Sequence, residues 1–198
     1  MPPFVAIPLL RAALSPRAVV AREEPAAMPT SMTFDEVYDA WAEFVYFSLR
    51  RLGVAPDHLA DAVQDVFVVV HRRLPAQNAD LPWKTWLFRI AMNVAREHRR
   101  AHRRVGGAEA LPDDLRAPTP DPHDCAEQSE AVRALDRVLE ALDDDHRAVF
   151  ILVELEQCTA PEVAAALAIP VNTVYSRLRN ARARFDAAVA KLQRGGAR

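Results

Sequence analysis

"TAPEVAAALAIPVNTVYSRLRNARARF", residues 159–185, holds two helix signals separated by a short turn. Thr159 and Glu162 have capping-box spacing, and Pro161 sits in the first turn, where its missing N–H is tolerated. The first run ends near Leu167, and "AIP" turns the chain. Val174, Leu178, Ala181 and Phe185 then make one apolar stripe at helical spacing, with Arg177, Arg179, Arg182 and Arg184 on the remaining positions. A short helix, a turn of three or four residues and a longer helix predict a helix-turn-helix. A recognition helix reads base edges from its first turns through short hydrogen-bonding groups, which Thr173, Ser176, Arg177 and Asn180 supply. Arg182 and Arg184, farther along, suit phosphates that set register. A basic helix face is more often simply solvated, so the arginines gain weight only from the capped helix and turn before them.

Just upstream, Asp143–Asp145 predict the cap of a helix containing Val149, Leu152 and Val153. Val132, Leu135, Val138, Leu139 and Leu142 mark the helix before that. Farther back, "VGGAEALPDDLRAPTPDPHDC", residues 105–125, is Gly, Pro and acid without a period, the composition of a linker between two units.

The N-terminal unit reads as three helices. "TFDE", residues 33–36, repeats the capping-box spacing. Phe34, Val37, Trp41, Phe44, Val45 and Leu52 follow it on one face, and Gly53 suits the stop. A second helix is expected from about Pro56 to Leu74 on the period of Leu59, Val63, Val66, Val70 and Leu74, despite the strand preference of "VFVVV" at 66–70. "LPAQNAD", residues 74–80, is a loop, and Pro82 opens a third helix. That helix places Trp83, Leu87, Ile90 and Val94 inward and Arg89, Arg96, Arg99 and Arg103 on another face. Trp83 and Leu87 read as core; for Trp86 the spacing leaves core and stacking on an unpaired base both open.

The chain of 198 residues has a formal net charge of -2, but the charge is segregated. From Pro82 to Arg104, Lys84, Arg89, Arg96, Arg99, Arg100, Arg103 and Arg104 face Glu97 alone, the middle is acidic, and the C-terminal stretch is basic again. Two cysteines, Cys125 and Cys158, imply no disulfide framework and fit a reduced, cytoplasmic setting. "FVAIPLLRAALS", residues 4–15, lacks a basic flank and is broken by Pro8 and Arg11, so neither export nor membrane insertion is expected. Residues 1–31 read as a disordered extension or as the product of an upstream start codon, since Met28 and Met32 precede the first helix signal. Enzyme readings are poor: no Gly-rich phosphate loop, paired catalytic carboxylates or nucleophile motif occurs, and no cofactor is implied. His98 and His102 have a spacing zinc can use, but without the "HExxH" pattern and among arginines no metal site is expected.

Residues 57–74, "DHLADAVQDVFVVVHRRL", and 83–100, "WKTWLFRIAMNVAREHRR", resemble regions 2.1 to 2.4 of the bacterial sigma-70 family. Residues 142–185 resemble its region 4. With no other family region between them, the resemblance is to the compact extracytoplasmic-function (ECF) sigma factors. It implies an all-α protein of two small helical domains and a non-enzymatic role in transcription initiation with core RNA polymerase (β and β′ subunits) and promoter DNA. An anti-sigma factor is a further implied partner. The expected division is 1–31 extension, 32–104 region 2, 105–127 linker, 128–192 region 4 and 193–198 tail.

The resemblance also assigns residues. Asp61, Gln64, Asp65, Phe67 and Val68 would dock on the polymerase clamp, and the 75–81 loop would capture a base flipped from the −10 element. Lys84, Trp86, Asn93, Arg96 and Arg100 would approach the melted −10 strand, and Asn172, Thr173, Tyr175, Ser176, Arg177, Arg179 and Asn180 would read the −35 duplex. Tyr175 stands where the family often has lysine; Asn172, Ala168 and Gln157 stand where it often has glycine. The rival reading is a stand-alone helix-turn-helix regulator with an N-terminal sensing or dimerising domain.

Overall fold

The computed structural model describes residues 32–74, 81–105 and 125–195. Among these, every element is helical: α1 (Phe34–Arg51), a single 3-10 turn (Pro56–His58), α2 (Leu59–Arg73), α3 (Trp83–Val105), α4 (Cys125–Glu140), α5 (Asp144–Phe150), α6 (Ala160–Leu167) and α7 (Val171–Gly195). The 1–31 segment, all but Leu81 of the 75–81 loop expected to capture a base, and most of the expected linker lie outside the described residues.

The local signals act as expected. The Thr33 hydroxyl accepts from the Glu36 amide while Glu36 accepts from the Thr33 amide, closing a capping box on α1. Thr159 and Glu162 do the same for α6, and Asp143 caps α5 by accepting from the His146 amide at 3.0 Å. Helix α1 stops at Gly53, whose φ of 86° lets the Val54 amide reach back to the Leu49 carbonyl at 3.1 Å. One helix begins earlier than expected: α4 starts at Cys125, inside the stretch assigned to the linker.

Helices α1, α2 and α3 pack on one another. Their core is aromatic and branched: Val37, Trp41, Val45 and Leu49 from α1, Ala62, Val66, Phe67 and Val70 from α2, and Trp83, Leu87, Phe88, Ile90 and Val94 from α3. A smaller core joins Leu135, Val138, Leu139 and Leu142 to Phe150, Ala181 and Phe185, with the Phe150 and Phe185 rings stacked at 4.5 Å.

The two halves are docked. Helix α3 packs against α6 as well as α1 and α2, and α4 touches α1. Val149, Ile151, Leu152, Val163, Val174 and Leu178 belong to the same buried cluster as the N-terminal core. Helix α3 is therefore covered around most of its first three turns, Trp86 included. Its ring is only 5% exposed and meets Trp83 edge-on at 5.5 Å, so it is a core residue here. After α5 the chain makes a wider π-type turn, Ile151–Leu155, in which the Glu156 amide reaches the Ile151 carbonyl at 2.9 Å.

Candidate polymerase and promoter interfaces

On α2, the periodicity that buries Ala62, Val66 and Val70 leaves Asp61, Gln64, Asp65 and Val68 exposed. Phe67 differs from the other four expected docking residues. It is 4% exposed, packed against Tyr38 at 4.7 Å and edge-on to Phe34 at 6.2 Å, so it forms the floor of the surface rather than its outside. Around it runs an open groove lined by Phe34, Tyr38, Val63, Gln64, Val68 and Arg72. Tyr38 and Val68 are large apolar side chains that remain 45% and 41% exposed. From sequence Phe34 was placed only on the apolar face of α1, and Tyr38 was not singled out. Their signal was an aromatic pair four residues apart, Tyr38 lying beside the buried stripe of Val37 and Trp41. Asp65 also meets His98 of α3 at 2.8 Å.

On α3, Asn93 and Arg100 are exposed and Lys84 and Arg96 half-buried, while Trp86 is buried. The ammonium of Lys84 donates to the Glu156 carbonyl at 3.3 Å, and Arg96 pairs with Asp145 at 2.9 Å. Both partners come from the C-terminal half.

On α7, Val174, Leu178, Ala181 and Phe185 are buried as the period requires. Asn172, Tyr175, Ser176, Arg179 and Asn180 are exposed, with Thr173 and Arg177 at the margins. The seven expected base readers thus share the outer surface of the first three turns. Two have local partners: the Ser176 hydroxyl donates to the Thr173 carbonyl at 3.0 Å, and Arg177 pairs with Asp145 at 2.7 Å. The turn before α7 is held by Ala168, whose φ of 53° and ψ of 46° are left-handed.

The carboxylates that meet these cations were legible as caps but not as partners. Asp143 pairs with Arg184 at 2.6 Å, Asp144 with Arg99, and Asp145 with both Arg96 and Arg177. Burial works against ionisation of Asp143, yet bonds from the His146 amide and ring and from Arg184 prevail and hold its carboxyl well below the usual range. Glu156 adds Arg51 at 2.7 Å, a pair with little solvent on either side. Arg147, 5% exposed, donates to the Leu52 carbonyl of the other half at 3.1 Å and to Leu142 at 3.0 Å. Burial and the neighbouring Arg99 push its pKa down.

Among the described residues no group of histidines, cysteines and carboxylates is arranged to hold a metal ion, and no helix is long and apolar enough to cross a membrane. His98 and His102 each lie near the ring of His58, at 6.4 and 5.7 Å between centroids.

Comparison with known proteins gives one answer. The family description "Sigma-70 region 2" matches residues 37–105, and "Sigma-70, region 4" matches residues 132–185. The chain is 35% identical over 146 residues to the RNA polymerase sigma factor CnrH of Cupriavidus metallidurans, covering 70% of this chain and 76% of that one. It is 32% identical over 157 residues to the ECF RNA polymerase sigma-E factor of Escherichia coli, covering 74% and 82%. Two solved structures share the fold. One is sigma factor RpoE with the anti-sigma factor NepR from Bartonella quintana, at TM-score 0.58 and 20% identity over 79% of this chain and 96% of that one. The other is CnrH with the cytosolic domain of CnrY, at TM-score 0.56 and 24% identity over 92% and 96%. Two regions of one family, in order and carried on the expected helices, place the chain in the sigma-70 family, among the ECF sigma factors, which are transcription initiation factors and not enzymes.

Proposed function

We propose that this sigma factor docks on core RNA polymerase through the outer face of α2, reads a −35 element with α7 and holds a melted −10 strand along α3. The observation that carries the reading is on α7, where a polar ledge of Asn172, Tyr175, Ser176, Arg179 and Asn180 stands over a buried apolar stripe, directly after a turn. Such a ledge fits the major groove, where donors and acceptors on base edges differ from pair to pair. The docking face combines Asp61, Gln64 and Asp65 with Val68 and Tyr38 around the floor of Phe67, the mixture of apolar centre and charged rim suited to a protein partner. For the −10 strand the proposal keeps Lys84, Asn93, Arg96 and Arg100 and drops Trp86, which is buried. The protein acts with polymerase in the bacterial cytoplasm. Its implied partners include an anti-sigma factor, since RpoE is bound to one in the similar structure. Run-off transcription with purified core enzyme on genomic fragments tests the proposal. Discrete transcripts that require the protein are expected; none from any fragment, with no core association, would return the rival regulator.

A further inference from the structure

The polar ledge on the first turns of α7 has two unlike edges. Along one, the Thr173 carbonyl accepts from the Ser176 hydroxyl at 3.0 Å and Arg177 pairs with Asp145 at 2.7 Å. Along the other, Val171, Tyr175 and Arg179 stand four residues apart and form one row on the helix surface. All three are exposed. Among the described residues Tyr175 is the most exposed large apolar side chain, at 58%, and Val171 beside it is 37% exposed. A single exposed tyrosine needs no explanation. An exposed apolar pair directly after the turn, on a surface otherwise made of hydrogen-bonding groups, asks for a ligand with an apolar group in the matching place.

We propose that Tyr175, flanked by Val171, sets one base of this protein's −35 element by packing on the 5-methyl group of a thymine. The inference rests on the assignment of α7 to the −35 duplex. In the major groove the base edges present donors, acceptors and one apolar group, the thymine methyl. An aromatic ring with an aliphatic neighbour has its counterpart there and at no other group on a base edge. Asn172, Ser176 and Arg179, interleaved with the pair on the same exposed surface, carry the donors and acceptors for neighbouring edges. A protein partner fits less well: a stable interface takes about 800 Å² from each side, and only two apolar side chains are exposed at this end of α7. A lysine at position 175 would donate to the O6 and N7 of guanine. Tyrosine has no charge to place there and offers a flat apolar face instead. Position 175 therefore chooses between two bases while the rest of the ledge stays the same.

The test uses holoenzyme assembled from core polymerase and the full chain, with the genomic fragment it binds most tightly. Each thymine of the −35 region, on either strand, is replaced singly by deoxyuridine, which removes the methyl and leaves every hydrogen-bonding group in place. At one position the wild type should bind about fourfold more weakly, the worth of burying one methyl group. Tyr175→Phe should show the same loss, and Tyr175→Ala should bind the thymine and deoxyuridine duplexes equally. Tyr175→Lys should favour guanine over thymine at that position. Arg179→Ala should weaken the whole element yet keep the deoxyuridine effect. Deoxyuridine tolerated by the wild type at every position would overturn the role of Tyr175 and leave the −35 reading standing. So would a methyl effect that survives in Tyr175→Ala, and loss of core polymerase by that variant with the methyl effect intact would assign the patch to a protein instead. A holoenzyme that retains no fragment would overturn both readings. The deoxyuridine series on the wild type needs no substitution, so it decides the matter whatever the stability of the variants.

Discussion

The outer face of α2 and the basic faces of α3 and α7 are all polar, yet they stand differently in the isolated chain. On α2, Asp61, Gln64 and Val68 face solvent beside the exposed ring of Tyr38. On α3 and α7, Lys84, Arg96 and Arg177 already have carboxylates. A face left open can bind as it is; a face already paired must exchange one partner for another. Under the proposed roles, removing a charge from the first should cost a polymerase contact outright, while removing one from the second should cost an internal pair as well as a DNA contact.

The contrast is broken most directly on α2. Asp61→Lys with Asp65→Lys should abolish association with core polymerase in a pull-down while helicity and melting temperature stay nearly unchanged. Reversed charges at the centre of a docking patch cost about 2 kcal/mol or more. Normal binding by the folded variant would remove α2 from the interface.

On α7, Arg177→Ala and Arg179→Ala should each weaken use of the cognate −35 element by about 1–3 kcal/mol while sparing scrambled duplexes. Arg184→Ala, two turns on, should weaken cognate and scrambled duplexes alike. Equal losses across all three variants in competition binding would mean that the ledge holds phosphates only. The paired state of Arg177 sharpens this: its replacement also frees Asp145, so Arg179→Ala is the cleaner of the two.

A smaller effect sits in the turn. Ala168 carries a β-carbon in a left-handed conformation, so Ala168→Gly should stabilise the chain by about 1 kcal/mol, a rise of about 2–4 °C in Tm for a chain of this length. Gln157 is also left-handed, but its side-chain amide donates to the carbonyls of Val153 and Glu154 at 3.3 and 3.0 Å. Gln157→Gly, losing those bonds, should gain less, and scanning calorimetry of both variants ranks them.

The smallest effect concerns acid. Because the Asp143 carboxyl titrates below its unfolded value, its contribution is fully present above the ordinary carboxylate range and is lost as pH falls through the folded value. Melting temperatures measured from pH 5 downward should therefore fall less steeply for Asp143→Asn than for wild type. The carboxylate is half exposed, so the difference should stay under about 1 kcal/mol.

Helix positions were legible in the sequence because they depend on residues three to five apart: the two capping boxes, the Gly53 stop and the α7 stripe all appear where spacing puts them. The ledge on α7 and the open face of α2 followed from the same period. The docking of the halves did not, because it joins Arg51 to Glu156 and Leu52 to Arg147 across a linker without pattern. That docking also explains Trp86, whose place on an otherwise basic helix was ambiguous until a second set of helices covered α3. The early start of α4 escaped for a different reason: Cys125 to Gln128 offers only the small Cys125 and Ala126 side by side, which set no helical period.

The stop after α1 leaves its own trace for descent. A β-carbon on Gly53 would collide with the Arg147 guanidinium, which lies over it on the way to the Leu52 carbonyl. Position 53 is thus constrained twice, by its own backbone angle and by a residue almost a hundred positions later. A lineage that shortens the side chain at 147 escapes only the second constraint, so 147 should drift first and 53 follow, chiefly to asparagine. In an alignment of near relatives the two columns should covary, with large residues at 53 confined to sequences lacking arginine at 147. Such a pattern would be a fossil of the docked form, written in chains whose structures need never be solved.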